Sequence, residues 1–334
     1  MKNQTFGVEI ETTGLGRERT AQVIAELFGT TARYIGRHLG DWHIPMPDGR
    51  KWVVERDGSV TDPSAEVVSP VCRWDDIPMV QEVVRALRQA GAKADASCGI
   101  HIHVGLGEHT PQSLRRLTNI VNAKEDLLTQ ALGISPSRRR QWCKPVDPVF
   151  LAELNRRKPA TMEALAQLWY KTNNPTTSDW RDCASSHYDH SRYHLLNLHA
   201  AFSTERPAHT IEFRAFNGTL HAGEVKAYIQ LCLAISHQAL TTKAASRNRH
   251  APVAGSRTFK SSKEEILMKD TQKIQLTLTQ TELSVLHSAL TEYRAKLGNL
   301  TNEMVAMGLA TDEAQSLATQ LSALSSKMCI LLNQ

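Results

Sequence analysis

The sequence predicts an α+β fold, in which a largely antiparallel sheet is flanked by helices and followed by a C-terminal helical hairpin. Two observations carry this prediction. Several short extended segments in the first 240 residues follow each other directly, without the intervening helices that a parallel sheet requires. Further along the chain, leucines recur at helical spacings of three and four residues.

The individual elements follow from local periodicity. Strands are predicted where apolar and polar residues alternate, over 5–12, 51–56, 65–69, 98–104, 192–199 and 209–216. Helices are predicted where apolar residues share one helical face, over 17–28, 76–90, 111–132, 161–171 and 222–240. These elements make residues 1–240 the expected catalytic domain.

The remaining residues divide into two parts. Residues 241–270 carry seven Lys or Arg against three Asp or Glu and lack apolar periodicity, which predicts a basic linker or mobile loop. Residues 271–334 contain a heptad-like stripe that includes Leu317, Leu321 and Leu324. This segment is predicted to be a helical hairpin, which either buries its own seam or serves as an oligomerisation or partner module.

Composition limits the classes of protein and partner. The chain has 334 residues with 41% hydrophobic and 22% charged residues, as is usual for a soluble globular protein. No apolar run reaches the ~18 residues of a membrane span, and no apolar region of a signal peptide is visible at the N-terminus, so we expect a cytoplasmic protein without a membrane partner. The net charge of +5 and the basic linker, which lacks interleaved aromatic residues, give little reason to expect nucleic-acid binding. The six cysteines form no CxxC pair and are interpreted as small buried hydrophobes.

Ionisable residues on the predicted strands are the strongest functional signal. Because strand side chains alternate between faces, residues two apart share one face. Three strands place apolar residues on one face and ionisable residues on the other, and a fourth contributes Glu66. The pairs are Glu9 and Glu11, His101 and His103, and Glu212 and Arg214.

Such a face is either a solvated sheet surface or a binding site for cations. Clustered carboxylates raise one another's pKa unless a cation lies between them, so the sequence favours a divalent-metal site. Oxygen-rich ligation with one or two imidazoles suits Mg²⁺ or Mn²⁺ better than Zn²⁺. An arginine beside the metal suits a phosphate group, and the combination is typical of phosphoryl transfer from a nucleotide.

Other motifs leave alternatives open. The run from Thr13 to Arg17 is either a plain strand-to-helix turn or a phosphate contact, and Arg138, Arg139 and Arg140 form either a solvated loop or a contact with a substrate carboxylate or phosphate. A Walker sequence, HExxH and GxSxG are all absent. The histidines at 187, 190, 194 and 199 have no standard zinc spacing, so a polar loop is expected there.

Taken in order, the motifs resemble the amidoligase family, which belongs with glutamine synthetase-like and glutamate–cysteine ligase-like enzymes. The resemblance covers roughly residues 5–240 and excludes the C-terminal segment. It rests on these runs: FGVEIET at 6–12, DGS at 57–59, EVVSP at 66–70, CGIHIHV at 98–104, Arg192-Tyr193 with Asn197-Leu198, and TIEFRAFNGT at 210–219.

The resemblance implies a glutamine synthetase-like antiparallel sheet that binds ATP and Mg²⁺ or Mn²⁺. The implied metal ligands are Glu9, Glu11, Glu66, Glu212 and His101. The implied catalytic residues are Arg214, Glu66 and His103, and the implied cofactor-binding residues are Arg214, His101 and Asn217. For Asp57 and Asn197, substrate contact and strand-end support are equally compatible with the resemblance.

The implied activity is ATP-dependent formation of an amide, peptide or isopeptide bond between a carboxylate and an amine, through an acyl-phosphate. The partners would be small-molecule or peptide carboxylates and amines, or a protein tail, with a homo-oligomer formed through the C-terminal helices. The alternative hypothesis is a non-catalytic nucleotide-binding or assembly protein with a helical partner-binding tail. Intact carboxylates and Arg214 favour the enzyme.

Overall fold

The computed structural model describes residues 1–36, 40–204 and 209–243. The predicted C-terminal hairpin and all but the first residues of the predicted basic linker lie outside the described residues, and both stay predictions. None of the described helices is long and apolar enough to cross a bilayer.

The described residues form one eight-stranded sheet in which every neighbouring pair is antiparallel, as the sequence predicted. The order across the sheet is β2-β3-β4-β5-β1-β6-β8-β7. The strands are β1 (Phe6–Thr13), β2 (Arg33–Tyr34), β3 (Trp42–Pro45), β4 (Lys51–Glu55), β5 (Ser64–Val68), β6 (Gly99–Gly105), β7 (Leu196–Asn197) and β8 (Thr210–Asn217).

Helices accompany the sheet, which confirms the mixed architecture with flanking helices. They are α1 (Arg17–Phe28), α2 (Ile77–Gln89), α3 (Pro111–Ala131), α4 (Pro136–Gln141), α5 (Pro148–Arg157), α6 (Met162–Asn173), α7 (Trp180–Ala184), α8 (His199–Phe202) and α9 (Ala222–Thr241). The predicted bounds of α1 are those observed, because Gly29 ends the helix in the left-handed conformation with φ 63° and donates to the carbonyls of the last turn.

The apolar face of the sheet forms the core. Val8 and Ile10 of β1 and Ile100 and Ile102 of β6 are at most 1% exposed. Helix α2 packs against both α1 and α9, and α1 and α9 pack against this sheet. Burying each of these side chains contributes about 1.5–3 kcal/mol to the free energy of unfolding. This face of the sheet therefore packs against the helices, and the opposite face carries the polar residues.

The predicted strand over 192–199 is largely wrong. Only Leu196 and Asn197 pair with β8, and the residues on either side form a 3-10 turn and the short helix α8. Side chains account for the difference: Asp189 Oδ1 accepts from the Ser191 amide at 2.9 Å, and Asn197 Oδ1 accepts from the His199 amide at 2.8 Å. These local bonds satisfy backbone donors that a longer strand would have used.

Candidate active site

The polar face of the sheet carries three cross-strand rows of ionisable side chains. In the first row, Glu212 of β8 lies opposite His103 of β6 and Asn197 of β7. In the second, Glu9 of β1 lies opposite His101 of β6. In the third, Glu11 lies opposite Glu66 of β5, which in turn lies opposite Glu55 of β4. Six neighbouring strands therefore bring together residues from distant parts of the sequence.

Glu9 connects the two imidazoles. Its Oε2 lies 2.9 Å from His101 Nδ1, and its Oε1 lies 3.0 Å from His103 Nε2. Burial raises the pKa of Glu9, but the two histidine rings outweigh this effect and hold the pKa well below its usual value. The other nitrogen of His103, Nδ1, is 2.8 Å from the Thr210 hydroxyl, which fixes the orientation of that ring.

Glu212 is the most enclosed carboxylate of the site, with 1% exposure. Arg214 Nη1 donates to its Oε1 at 2.5 Å and Asn197 Nδ2 donates to its Oε2 at 2.6 Å. Burial raises the pKa of Glu212, but Arg214, His103 and His101 together outweigh burial and keep the pKa below the usual range. Asn197 thus supports Glu212 and also the start of α8, which matches the strand-end role considered for it.

Glu11 and Glu66 form the acidic end of the site. Glu11 accepts a short hydrogen bond from the Gly99 amide, and Glu66 is 9% exposed. Burial raises the pKa of Glu66 well above its usual value, and the charges of Glu9, Glu11 and Asp57 raise it further. Glu66 is therefore a buried carboxyl without an ion pair to a lysine or arginine among the described residues, and burial with like charge disfavours its ionised form.

This donor set fits a divalent cation. Three groups of side chains have ligand atoms within 4.8 Å of one another: Glu9, His103 and Glu212; Glu9, Glu66 and His101; and Glu11, Asp57 and Glu66. The raised pKa of Glu66 is the signature of uncompensated negative charge, which a divalent ion at this position would remove. Carboxylate oxygens with few imidazoles are the ligands that Mg²⁺ and Mn²⁺ prefer.

Two buried guanidinium groups complete the site. Arg138 and Arg214 are each 5% exposed, and the Nε of each has no hydrogen-bond partner within the described part of the chain. Arg138 lies on α4 and reaches His101, whereas Arg139 pairs with Asp126 at the surface and Arg140 is exposed. The alternative of a solvated loop is therefore wrong for Arg138.

Asn217 lies at the end of β8 and contacts a neighbouring loop. Its Oδ1 accepts from the Ser135 amide at 3.2 Å, and its Nδ2 donates to the Gly133 carbonyl at 2.7 Å. These bonds position the loop before α4, so the cofactor-binding role expected for Asn217 stays a prediction. Asp57 accepts from the amide and hydroxyl of Ser59, in addition to its place near Glu11.

The turn after β1 matches a plain strand-to-helix turn. The Thr13 amide donates to the Lys93 carbonyl and the Gly14 amide to the Pro63 carbonyl, both at 2.9 Å. These two donors are therefore already occupied by the protein. Gly14 has φ +83°, a conformation that side chains disfavour, which explains the glycine without a ligand.

The histidines of the 182–199 region are engaged in structural contacts. His194 bonds the Pro145 carbonyl and the Asn173 amide oxygen, and burial lowers its pKa. His199 Nδ1 is 2.8 Å from the Tyr170 hydroxyl. Among the described residues, these rings do not join any group of potential metal ligands.

Two residues of the site, Thr210 and Glu55, were not predicted from the sequence. Thr210, which contacts His103, stands two and four residues before Glu212 and Arg214 on β8 and so shares their face. Glu55, opposite Glu66, ends the strand KWVVE on the face opposite Trp52 and Val54. The same alternation that identified the carboxylates would have identified both residues.

Comparison with known families places this geometry in context. The profile of the family described as "Putative amidoligase enzyme" matches residues 2–236, which includes every strand of the sheet and every polar residue described above. Comparison with individual curated proteins gives no significant match. Because the family match covers most of the chain, the protein belongs to the amidoligase family, whose members are described as amide-forming ligases.

Proposed function

We propose that this protein is an ATP-dependent carboxylate–amine ligase that uses Mg²⁺ or Mn²⁺ and forms an amide bond through an acyl-phosphate. Family membership supports an amide-forming ligase in general. The observation that carries the finer proposal is the meeting of carboxylates, imidazoles and a buried arginine from four neighbouring strands on one face of the sheet. A glutamine synthetase-like fold is part of this proposal.

The carboxylates would hold the cations. Glu9 and Glu212 with an imidazole form one group of ligands, and Glu11, Glu66 and Asp57 form another. When bound, such ions neutralise phosphate charge and polarise the bonds to phosphorus. The protein supplies the fixed geometry: the Gly99 amide orients Glu11, and Asn197 with Arg214 orients Glu212.

Arg214 would bind the transferred phosphoryl group. A carboxylate is a poor electrophile, so its oxygen must first be phosphorylated, and charge on the phosphoryl oxygens must be stabilised in that step. The Arg214 guanidinium is anchored through Nη1 to Glu212, and its buried Nε has no hydrogen-bond partner among the residues that the structure describes. A phosphoryl oxygen is a suitable acceptor for such a donor.

Glu66 and His103 are the proposed groups for proton transfer. The amine must lose a proton before it attacks the acyl-phosphate, and a base works best when its pKa lies near the operating pH. Burial and like charges raise the pKa of Glu66 in that direction. His103, held by Thr210, can supply an imidazole beside Glu9. The attack then forms the amide and releases phosphate.

The test is release of ADP by the full-length protein with Mg²⁺, ATP and a panel of acids and amines, with mass spectrometry of the products. We expect ADP and an amide in equal amounts for the wild type, and a loss of about 10²-fold or more for Arg214→Ala and Glu9→Gln. Glu26→Gln on the exposed face of α1 is the matched control and should keep full activity. Unchanged turnover in both site variants would contradict the assignment.

Nucleotide binding without ADP release across the whole panel would instead favour the non-catalytic alternative. The substrates are proposed as a class only: a small-molecule, peptide or protein carboxylate and a primary amine. The proposed homo-oligomer would form through the C-terminal segment, which is outside the described residues.

A further inference from the structure

The guanidinium of Arg138 occupies space that only a glycine leaves free. A Cβ placed on Gly99 would overlap Nη1, Nη2 and Cζ of Arg138. The backbone of Gly99 is not in the left-handed region, so the residue is needed for space and not for conformational freedom. The absence of a side chain at Gly99 therefore leaves a slot at the edge of the active site, and the Arg138 guanidinium fills it.

The Arg138 guanidinium forms a hydrogen bond with one side chain of the site, His101. Within the described residues, the hydrogen bonds of Arg138 go to His101 Nε2 at 3.1 Å and to the carbonyls of Cys98 and Arg214 at 3.4 Å, and none goes to a carboxylate. The bond to His101 is the shortest of these. Burial lowers the pKa of Arg138, and the nearby charge of Glu11 offsets this only in part, so the placement is costly and needs a reason beyond stability.

The bond fixes the position of a proton. A guanidinium has donors and no acceptor, so His101 Nε2 must accept and carries no proton. The remaining nitrogen, Nδ1, lies 2.9 Å from Glu9 Oε2. In the neutral ring the proton is therefore on Nδ1, from which it is donated to the Glu9 carboxylate.

We propose that Arg138 is a positioning residue that holds His101 in this tautomer and thereby opposes cation ligation at His101 Nδ1. The inference rests on the proposed function, which places a cation beside Glu9. A metal ion needs the lone pair of Nδ1. To provide it, the proton must move to Nε2, where it faces the Arg138 donor, so Arg138 must withdraw from its slot when His101 binds the ion.

The tautomer can be measured directly. Long-range ¹⁵N–¹H correlation spectra of the full-length, chelator-treated protein with labelled histidine distinguish protonated from unprotonated ring nitrogens. We expect a protonated Nδ1 and an unprotonated Nε2 for His101, whose signals are assigned by their loss in His101→Gln. Protonated Nε2 in the wild type overturns the proposal, whatever the protein catalyses.

Two variants remove the bond in different ways. Arg138→Met removes the donor, whereas Gly99→Ala keeps the charge and expels the guanidinium from its slot. Both should release the fixed tautomer and tighten Mn²⁺ binding by about tenfold, which is the effect of losing one charge-assisted hydrogen bond to the competing state. Arg139→Gln, next to Arg138 on α4 and paired with surface Asp126, is the matched control and should behave as the wild type.

Mn²⁺ binding is measured from the electron paramagnetic resonance signal of the free ion, and folding of each variant from the dispersion of the same NMR spectra. A combined Gly99→Ala/Arg138→Met variant should bind no tighter than either single variant, because both act on one bond. Unchanged or weaker Mn²⁺ binding in both single variants overturns the proposal. If Arg138→Met instead weakens only the binding of inorganic phosphate or ATP, Arg138 is an anion contact and the proposal fails. If the wild type binds no Mn²⁺, the proposed function fails, and the tautomer measurement still decides the role of Arg138.

Discussion

Glu11 and Glu66 lie directly opposite each other on β1 and β5, and both side chains are buried. Like charges in this arrangement destabilise a sheet, since directly opposed side chains are only about 5 Å apart. The Gly99 amide binds Glu11, and the pKa of Glu66 is raised well above its usual value, first by burial and then by the neighbouring carboxylates. The pair is therefore a site of like-charge repulsion, which the proposed divalent cation would relieve.

The first prediction concerns this repulsion. Glu66→Gln replaces the carboxyl by a neutral group of the same shape and removes its repulsion with the neighbouring carboxylates, so the cation-free protein should gain about 1 kcal/mol in its free energy of unfolding. Saturating Mg²⁺ should stabilise the wild type by about 3 kcal/mol at a hundredfold excess over the dissociation constant, and the variant by much less. Urea unfolding with chelator and with Mg²⁺ measures both effects. Equal stabilisation of the two proteins by Mg²⁺ would remove Glu66 from the cation site.

The second prediction concerns the enclosed ion pair of β8. Arg214→Ala leaves Glu212 buried with Asn197 as its remaining hydrogen-bond donor among the described residues, which should cost about 3–5 kcal/mol of unfolding free energy. Arg214→Ala combined with Glu212→Gln should be more stable than Arg214→Ala alone, because the uncompensated charge is gone. Urea unfolding is the measurement, and Arg156→Ala on the exposed end of α5 is the control, with a change of about 0.5 kcal/mol or less. A single Arg214→Ala variant as stable as this control would show that the pair does not stabilise the fold.

The third prediction concerns acid stability and lies away from the site. Burial, and then the charge of Arg116, lower the pKa of His109 to about 4. The ring lies between the hydroxyls of Ser113 and Ser236 in the packing of α3 against α9. Because the unfolded chain binds this proton at about pH 6.5 and the folded chain only near pH 4, His109 removes stability as the pH falls through this range, by about 2–3 kcal/mol.

His109→Asn lacks this proton, so its unfolding free energy should fall less steeply between pH 6.5 and pH 4 than that of the wild type, even if it is lower at neutral pH. The comparison is made by urea unfolding at a series of pH values. Parallel curves for the two proteins would mean that His109 titrates normally in the folded state.

The fourth prediction concerns the cysteines, which the sequence suggested to be buried hydrophobes. The described cysteines are free. Cys98 adjoins Gly99 of the candidate site, and burial raises the pKa of its thiol to about 11. Its thiolate is therefore scarce at neutral pH, and alkylation of the native protein by iodoacetamide should be slow. Peptide mapping should find Cys183, which is more accessible, modified before Cys98. Rapid native modification of Cys98 would contradict this and would call for a role of the thiol.

Local patterns predicted those parts of the protein whose structure is decided locally. The apolar face of α2, with Val80, Val83, Val84 and Leu87 all fully buried, was readable from spacing alone. The strand predicted over 192–199 failed because Asn197 and Asp189 bind the backbone, and propensity does not register such bonds. Strands of two to four residues, such as β2 and β3, are too short to show a period.

The same limit applies to the site. Alternation placed Glu9 with Glu11 and Glu212 with Arg214, because residues two apart share a face in any strand. The pairing of Glu9 with His101 depends on which strands are neighbours, and the period within a single strand does not contain that information. The contact between Arg138 and Gly99 depends on how α4 packs on the sheet. A single sequence contains no local signal for such packing.

The strand order has a consequence for how the protein acquires its structure. The two partners of β6 in the sheet are β1, at the start of the chain, and β8, which follows only after α8. A chain that has not yet docked β8 lacks Glu212 and Arg214 and cannot offer the complete set of ligands. The proposed divalent ion would therefore bind only late in folding. Only chains in which β8 has paired with β6 would gain the free energy of ion binding.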